Sequence, residues 1–261
     1  MYKRVVSTGL LIFGLAALLA SLLGEVTSLG KYKSAPSRSW EQFDSQMVRE
    51  TPDLPSLQNR VNLLTSKSVN EQEKMLIIYG EVIQRFTHSE QAKYNIFSNW
   101  FLWLLGTAHP PFSSIESPDV LLKNGHSALC SQQSYLLQVL AGANGIHTRK
   151  VGLNGHVVVE AWYENDWHLF DPDMEVVPII EGNRILSLDD LAKSPALLEE
   201  LYQSPERDGF ISIIASRKDN SASKPYPKPT INLYVEQAGS VLKWFFPILV
   251  IFFALYLRRS R

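Results

Sequence analysis

Two stretches of this chain carry almost no charge over a length that few environments accept. From Val5 to Gly24 no residue is ionisable, and Leu, Ile, Ala, Val and Phe fill most of the run. About 20 apolar residues, each rising 1.5 Å, span a hydrocarbon core of about 30 Å. The second run, from Ser240 to Leu257, has Lys243 near its start, where a long side chain can snorkel to the interface. Trp244 and Tyr256 stand towards its two edges, the depth that amphipathic aromatics favour. Both runs therefore read as transmembrane helices.

Basic residues flank the outer end of each run: Lys3 and Arg4 before the first, Arg258, Arg259 and Arg261 after the second. The positive-inside rule then places both termini in the cytoplasm and the chain between the helices outside it. The expected layout is a cytoplasmic tail (1–4), a helix (5–24), a stalk (25–49), an extracytoplasmic domain (50–215), a stalk rich in Pro, Lys and Ser (216–239), a helix (240–257) and a basic tail (258–261). A rival reading makes the first run a signal peptide cleaved near Leu18-Leu19-Ala20. The second helix would tether the domain in either case.

Composition narrows the chemistry. The 25 basic and 26 acidic residues leave a net charge of −1, which gives no electrostatic reason to expect nucleic acid. A single cysteine excludes an internal disulfide and any zinc site built on several thiolates. No EF-hand-like acidic loop is present, so neither a metal nor another cofactor is expected.

Between the apolar ends the texture changes once. Met75, Ile78, Tyr79, Val82 and Phe86 are spaced by three and four, as are Tyr94, Phe97, Phe101, Leu104 and Leu105 before His109-Pro110-Pro111. Cys130 to Ala143 forms a third helical stretch, with Gly142 and Gly145 as candidate stops. After Gly145 the pattern is that of strands. Val157 to Trp162 and Trp167 to Phe170 flank a turn placed at Asn165-Asp166. Helices followed by a hairpin sheet predict an α+β domain.

Cys130 opens its helix, where unpaired backbone amides and the helix dipole favour a thiolate. A nucleophilic thiolate needs a base, and the base needs an orienting group. His156 at the start of one strand and Asp171 at the end of the next supply those types. Around them, Cys130-Ser-Gln-Gln-Ser-Tyr-Leu-Leu, Gly145-Ile-His-Thr-Arg149, His156-Val-Val-Val-Glu160-Ala-Trp162 and Trp167-His-Leu-Phe-Asp171-Pro172 follow in order. Together they resemble the nucleophile helix, His strand and Asp strand of the transglutaminase-like superfamily. The resemblance implies a papain-like fold, a catalytic triad of Cys130, His156 and Asp171, and thioacyl chemistry on amide bonds of a protein or peptide, with hydrolysis favoured over cross-linking. Leu129 and Ala128 stand where many members carry Gly, and Val158 where Trp is common. The alternative is a non-catalytic module of the same fold that binds a partner in a cell-envelope or polysaccharide assembly.

The hairpin raises a geometric problem. A turn at Asn165-Asp166 sets Asp171 opposite Glu160 and His156 opposite Glu175, about four strand positions away at ~3.4 Å each. Either a bulge or a displaced second strand closes that gap, or Asp173 orients the imidazole. Other residues have weaker readings. His126 and Cys130, four apart, could share a helix face as metal ligands. His147 and His168 read as surface or sheet residues. Trp100 and Trp103 read as core, and an indole N–H from that segment could serve an oxyanion, although the backbone N–H of Cys130 is the more usual donor.

Overall fold

The computed structural model describes residues 2–89, 92–153, 155–203, 207–216, 224–225 and 231–259. In chain order the elements are α1 (Tyr2–Val26), α2 (Ser45–Glu50), α3 (Leu54–Thr65), α4 (Glu71–Arg85), β1 (Thr87–His88), α5 (Ile96–Ala108), α6 (Pro118–Asn124), β2 (Ser127–Ala128) and α7 (Cys130–Ala143). They continue as β3 (His147–Leu153), β4 (His156–Tyr163), β5 (Asp166–Phe170), α8 (Leu188–Ala192), α9 (Pro195–Leu201), α10 (Asp208–Ser216), β6 (Lys224–Pro225) and α11 (Ile231–Arg259). The class is α+β, as the sequence predicts. Two compact units share the chain: residues 1–33, 92–125 and 229–261 form one, and residues 34–91 and 126–228 the other. Residues 217–223 and 226–230 of the segment 216–239 expected to be a stalk lie outside the described residues, and its last part, from Ile231, belongs to α11.

The first unit is built on α1 and α11, both long and apolar enough to cross a membrane. They run antiparallel. Arg258 reaches the hydroxyls of Ser7 and Thr8 at one end, Gly14 sits against Ile251 and Pro247, and Lys243 Nζ meets Glu25 at 2.6 Å at the other end. Lys243 is thus buried and paired within the unit rather than snorkelling to solvent. Pro247 has no N–H to give the carbonyl one turn earlier, which belongs to Lys243. That carbonyl instead accepts from Trp100 Nε1 at 3.0 Å and Ser21 Oγ at 3.5 Å. A buried carbonyl left without a donor would cost about 1–3 kcal/mol. Trp100 therefore serves the helix pair, and its indole N–H is not the oxyanion donor considered from the sequence.

Asn95 caps α5 with its side chain, and Asn99 (φ −161°, ψ 90°) breaks the helical geometry one turn later. Leu102 packs against Gly239, and the buried Glu236 carboxylate accepts the Tyr94 hydroxyl and the amides of Glu116 and Ser117. Residues 92–125 are tied in this way to the terminal helices.

The second unit centres on an antiparallel sheet of order β5-β4-β3-β6. Asn70 caps α4 and acidic Glu71 and Glu73 occupy its first turn, which suits the positive end of the helix dipole. Its buried face is Met75, Ile78, Tyr79, Val82 and Ile83, the periodic set read from the sequence with Ile83 added, and Phe86 follows in extended backbone. Helix α7 ends where Gly145 takes φ +79°, a left-handed conformation that glycine adopts without strain. The sheet is covered on both faces. Tyr79 of α4 meets Phe170 on one, with ring centroids 5.8 Å apart. On the other, Val151, Val158 and Leu169 join Leu188, Leu191, Leu198, Tyr202 and Ile214. Each such side chain taken fully out of water contributes roughly 1.5–3 kcal/mol. Double coverage explains why β4 lacks a clean alternation of buried and exposed residues.

Candidate active site

The β4–β5 turn sits at Glu164-Asn165, one residue earlier than the sequence suggests. Both residues have positive φ (52° and 62°), the geometry of a type I′ hairpin turn. Tyr163 then pairs with Asp166, Trp162 with Trp167 and Val159 with Phe170. The shift brings the Trp162 and Trp167 rings to 5.1 Å in an edge-on arrangement and sets Phe170 in the core. These gains outweigh the modest cost of a non-glycine residue at positive φ.

After Phe170 the chain leaves the ladder. Asp171 and Val176 exchange both backbone hydrogen bonds, at 2.9 and 3.0 Å, around a tight turn in which Glu175 takes φ 53°. Within it Asp171 Oδ1 accepts from the amides of Asp173 (3.2 Å) and Met174 (3.1 Å). The other oxygen, Oδ2, stands 2.8 Å from His156 Nε2 and accepts the Tyr202 hydroxyl at 3.0 Å. The turn thus closes the gap that a straight hairpin would leave between strand 156–163 and the acid. Asp173 lies on the other side of the imidazole, its Oδ2 3.9 Å from Nδ1.

Cys130 is the first residue of α7. Strands β1 and β2 pair in parallel just before it, with His88 opposite Ala128, and so place His88 beside the helix start. His88 Nδ1 lies 2.7 Å from Asp173 Oδ1, to which Gln133 Nε2 also donates at 3.1 Å. The Cys130 Sγ, a ring nitrogen of His156 and a carboxylate oxygen of Asp173 all lie within 4.8 Å of one another. Cys130 is 5% exposed, His156 2%, Asp173 2% and Asp171 0%. The half-buried Phe210 of α10 packs its ring 4.4 Å from the imidazole.

Burial works against a charged imidazole. It is overcome by the charge and hydrogen bond of Asp171, a hydrogen bond with Cys130 and the charge of Asp173, so His156 is held well above its ordinary pKa. Burial pushes the Asp173 carboxyl up, and His88 offsets part of that effect. The site therefore favours an imidazolium with the thiol of Cys130 and two acids around it. Chemically it can hold a nucleophilic sulfur beside a proton donor whose other nitrogen is fixed by a carboxylate. Nearby, Arg149 binds the buried Glu160 at 2.6–2.7 Å, and Glu160 Oε1 accepts the Leu188 amide, which fixes β3, β4 and the start of α8.

Other residues singled out in the sequence fall elsewhere. His126 precedes β2 and stacks on Phe43, so it shares no helix face with Cys130. His168 is buried, with Nδ1 2.7 Å from the Ile185 carbonyl and Nε2 3.1 Å from that of Tyr163. His147 is exposed near Trp167. Conversely His88, Gln133, Tyr202 and Phe210 join the site without any role read from spacing. Gln133 alone had a legible signal, its place one turn into the helix that Cys130 opens.

Comparison of the chain with known protein families, with curated proteins and with solved structures finds no match.

Proposed function

We propose that this protein is a membrane-anchored cysteine enzyme of the transglutaminase-like, papain-like type, acting outside the cytoplasm on amide bonds of a protein or peptide. The observation that carries this reading is the ordered contact series Cys130–His156–Asp171. The thiol begins a helix, a ring nitrogen of the imidazole lies within 4.8 Å of its sulfur, and the ring's Nε2 is 2.8 Å from a buried carboxylate. The basic flanks of the two terminal helices support the orientation.

In this mechanism Cys130 Sγ, as thiolate, attacks the amide carbonyl carbon, and the oxygen takes the electron pair. Backbone N–H groups at the start of α7, that of Cys130 first, stabilise that oxyanion. Collapse breaks the C–N bond. His156 gives its Nδ1 proton to the departing amine and leaves a thioester on Cys130. Water then attacks the thioester as His156 takes a proton from it, and the acid is released with the thiol restored. Asp171 keeps Nε2 protonated and the ring oriented throughout. An amine in place of water gives a cross-link, and a site as enclosed as this one is where such competition is decided.

The enclosure also favours a second reading. A thiol 5% exposed, beside an imidazole 2% exposed on which Phe210 packs, suits a non-catalytic module that keeps the fold and binds an envelope partner. Alkylation of the full-length protein in detergent separates the two. The enzyme reading expects Cys130 to react below neutral pH faster than a free thiol, to slow at least tenfold in His156→Ala, and to speed up in Phe210→Ala. A Cys130 that reacts only on unfolding, in the Phe210 variant too, would leave the binding module in its place.

A further inference from the structure

We propose that Cys130, His156 and Asp173 form a binding site for one divalent transition-metal ion of the zinc class. The catalytic series gives Asp173 no task, yet the residue is buried, oriented and aimed at the same centre as the thiol. Its Oδ1 is occupied by His88 Nδ1 at 2.7 Å and Gln133 Nε2 at 3.1 Å, which turns Oδ2 towards His156. His156 has its Nε2 fixed by Asp171, which leaves Nδ1 as the inward ligand. A histidine held by a carboxylate on its far nitrogen and a ligating carboxylate held by hydrogen bonds are the outer-shell supports that metal ligands use. Sulfur, nitrogen and oxygen donors all fall within 4.8 Å of one another.

The distances suit such an ion. Bonds of about 2.0–2.1 Å to nitrogen and oxygen, in tetrahedral geometry, set those two atoms roughly 3.3 Å apart. His156 Nδ1 and Asp173 Oδ2 are 3.9 Å apart, so a closure of roughly 0.6 Å suits that pair, and the sulfur, within 4.8 Å of both, has to come to roughly 3.6 Å. One thiolate and one carboxylate balance the two positive charges, and the mixture of soft and hard donors excludes calcium and magnesium. Three protein ligands leave a fourth position for water. Gln133 Oε1 is buried with no donor among the described residues, and that water is a fitting one. One cysteine, one histidine and one aspartate gathered from three separate segments make neither a multi-thiolate site nor an acidic loop, the two patterns that the sequence lacks.

An ion held here occupies the sulfur lone pair and the nitrogen that the proposed reaction needs, so metal-bound and nucleophilic states exclude each other. The inference uses the residues of the proposed reaction but does not depend on turnover. The test is titration of the metal-free, full-length protein in detergent with Co2+, followed by displacement with Zn2+. One equivalent is expected, with a thiolate-to-cobalt charge-transfer band, protection of Cys130 from alkylation, and at least tenfold weaker binding in Asp173→Asn. Melting of each metal-free variant checks its fold. Should Asp173→Asn fail to fold, X-ray absorption of the zinc-loaded wild type must show one sulfur and two protein nitrogen or oxygen ligands. Binding without the thiolate band, unchanged affinity in a folded Asp173→Asn, or no binding overturns the metal site. If no metal binds and alkylation still depends on His156, the enzyme reading survives alone. If metal binds and that dependence is missing, the enzyme reading falls instead.

Discussion

Two buried tyrosines donate to the same aspartate, and only one of them donates to charge. Tyr202 gives its hydroxyl to Asp171 Oδ2 at 3.0 Å, whereas Tyr79 gives its own to the Asp171 backbone carbonyl at 3.2 Å. Removing either hydroxyl by substitution to Phe leaves the ring, and so the packing, in place. A hydrogen bond to a charged acceptor contributes about 1.5–3 kcal/mol, and a neutral one about 0.5–1.5 kcal/mol. Tyr202→Phe should therefore cost about twice as much stability as Tyr79→Phe. For a unit of this size, each kcal/mol moves the melting midpoint by roughly 2–4 °C. The shifts expected are roughly 3–12 °C for Tyr202→Phe and 1–6 °C for Tyr79→Phe. Thermal unfolding of the detergent-solubilised protein at neutral pH, followed by circular dichroism, reads both. The carboxylate also loses a donor that competes with His156, so the alkylation profile of Cys130 should move in Tyr202→Phe and stay in place in Tyr79→Phe. Equal melting losses and unmoved profiles would refute an ionised Asp171 at the centre of this network.

Glu175 tests the same turn by pH. Burial raises its pKa to about 7 despite the Gln42 amide that it accepts. Its folded pKa exceeds its unfolded one, so the folded form binds the extra proton and stability falls as pH rises from about 4.5 through 7. Discounted for partial exposure, the loss is about 1–2 kcal/mol. Glu175→Gln should raise the melting temperature at pH 8 and leave it unchanged at pH 4, and a gain at both would show a cause other than ionisation. In the first unit, a Cβ on Gly24 would overlap the Phe97 carbonyl oxygen, so Gly24→Ala must displace backbone. Its expected cost is at least about 1–3 kcal/mol, seen as lost monodisperse protein on gel filtration, whereas unchanged yield and melting would contradict that close packing.

The parts of the fold legible in the sequence are those fixed by local periodicity and by glycine. Cys130 to Ala143 reads as a helix from its apolar spacing and from Gly145, and the structure ends the helix there because φ is +79°. The β4–β5 turn was misplaced by one residue because Glu164 gives no turn signal, and the preference for pairing Trp162 with Trp167 is a tertiary effect. Cys130, His156 and Asp171 were readable as motif residues in order. Their closure was not, since it depends on the 171–176 turn. His88 and Tyr202 come from segments with no fixed spacing to Cys130, so only folding discloses them. Periodicity found α5 but could not say what covers it, because Trp100 and Leu102 would read the same against a sheet as against α11.

The excursion of residues 92–125 into the first unit bears on how this protein is to be handled. A water-soluble fragment is naturally cut just inside the two terminal helices. Such a fragment still carries α5, and it strips from it Phe13, Phe246 and Gly239, against which Trp100 and Leu102 pack. It also removes Glu236, which secures the amides of Glu116 and Ser117. The bared apolar surface would drive aggregation, and an inert precipitate could be mistaken for an unreactive Cys130. The remedy lies at β1 and β2. Thr87 and Ser127 are paired neighbours, so the chain departs and returns at almost the same place. Excising the excursion and rejoining the two strands through a short flexible bridge would yield a soluble domain that keeps Cys130, His156, Asp171 and Asp173 together.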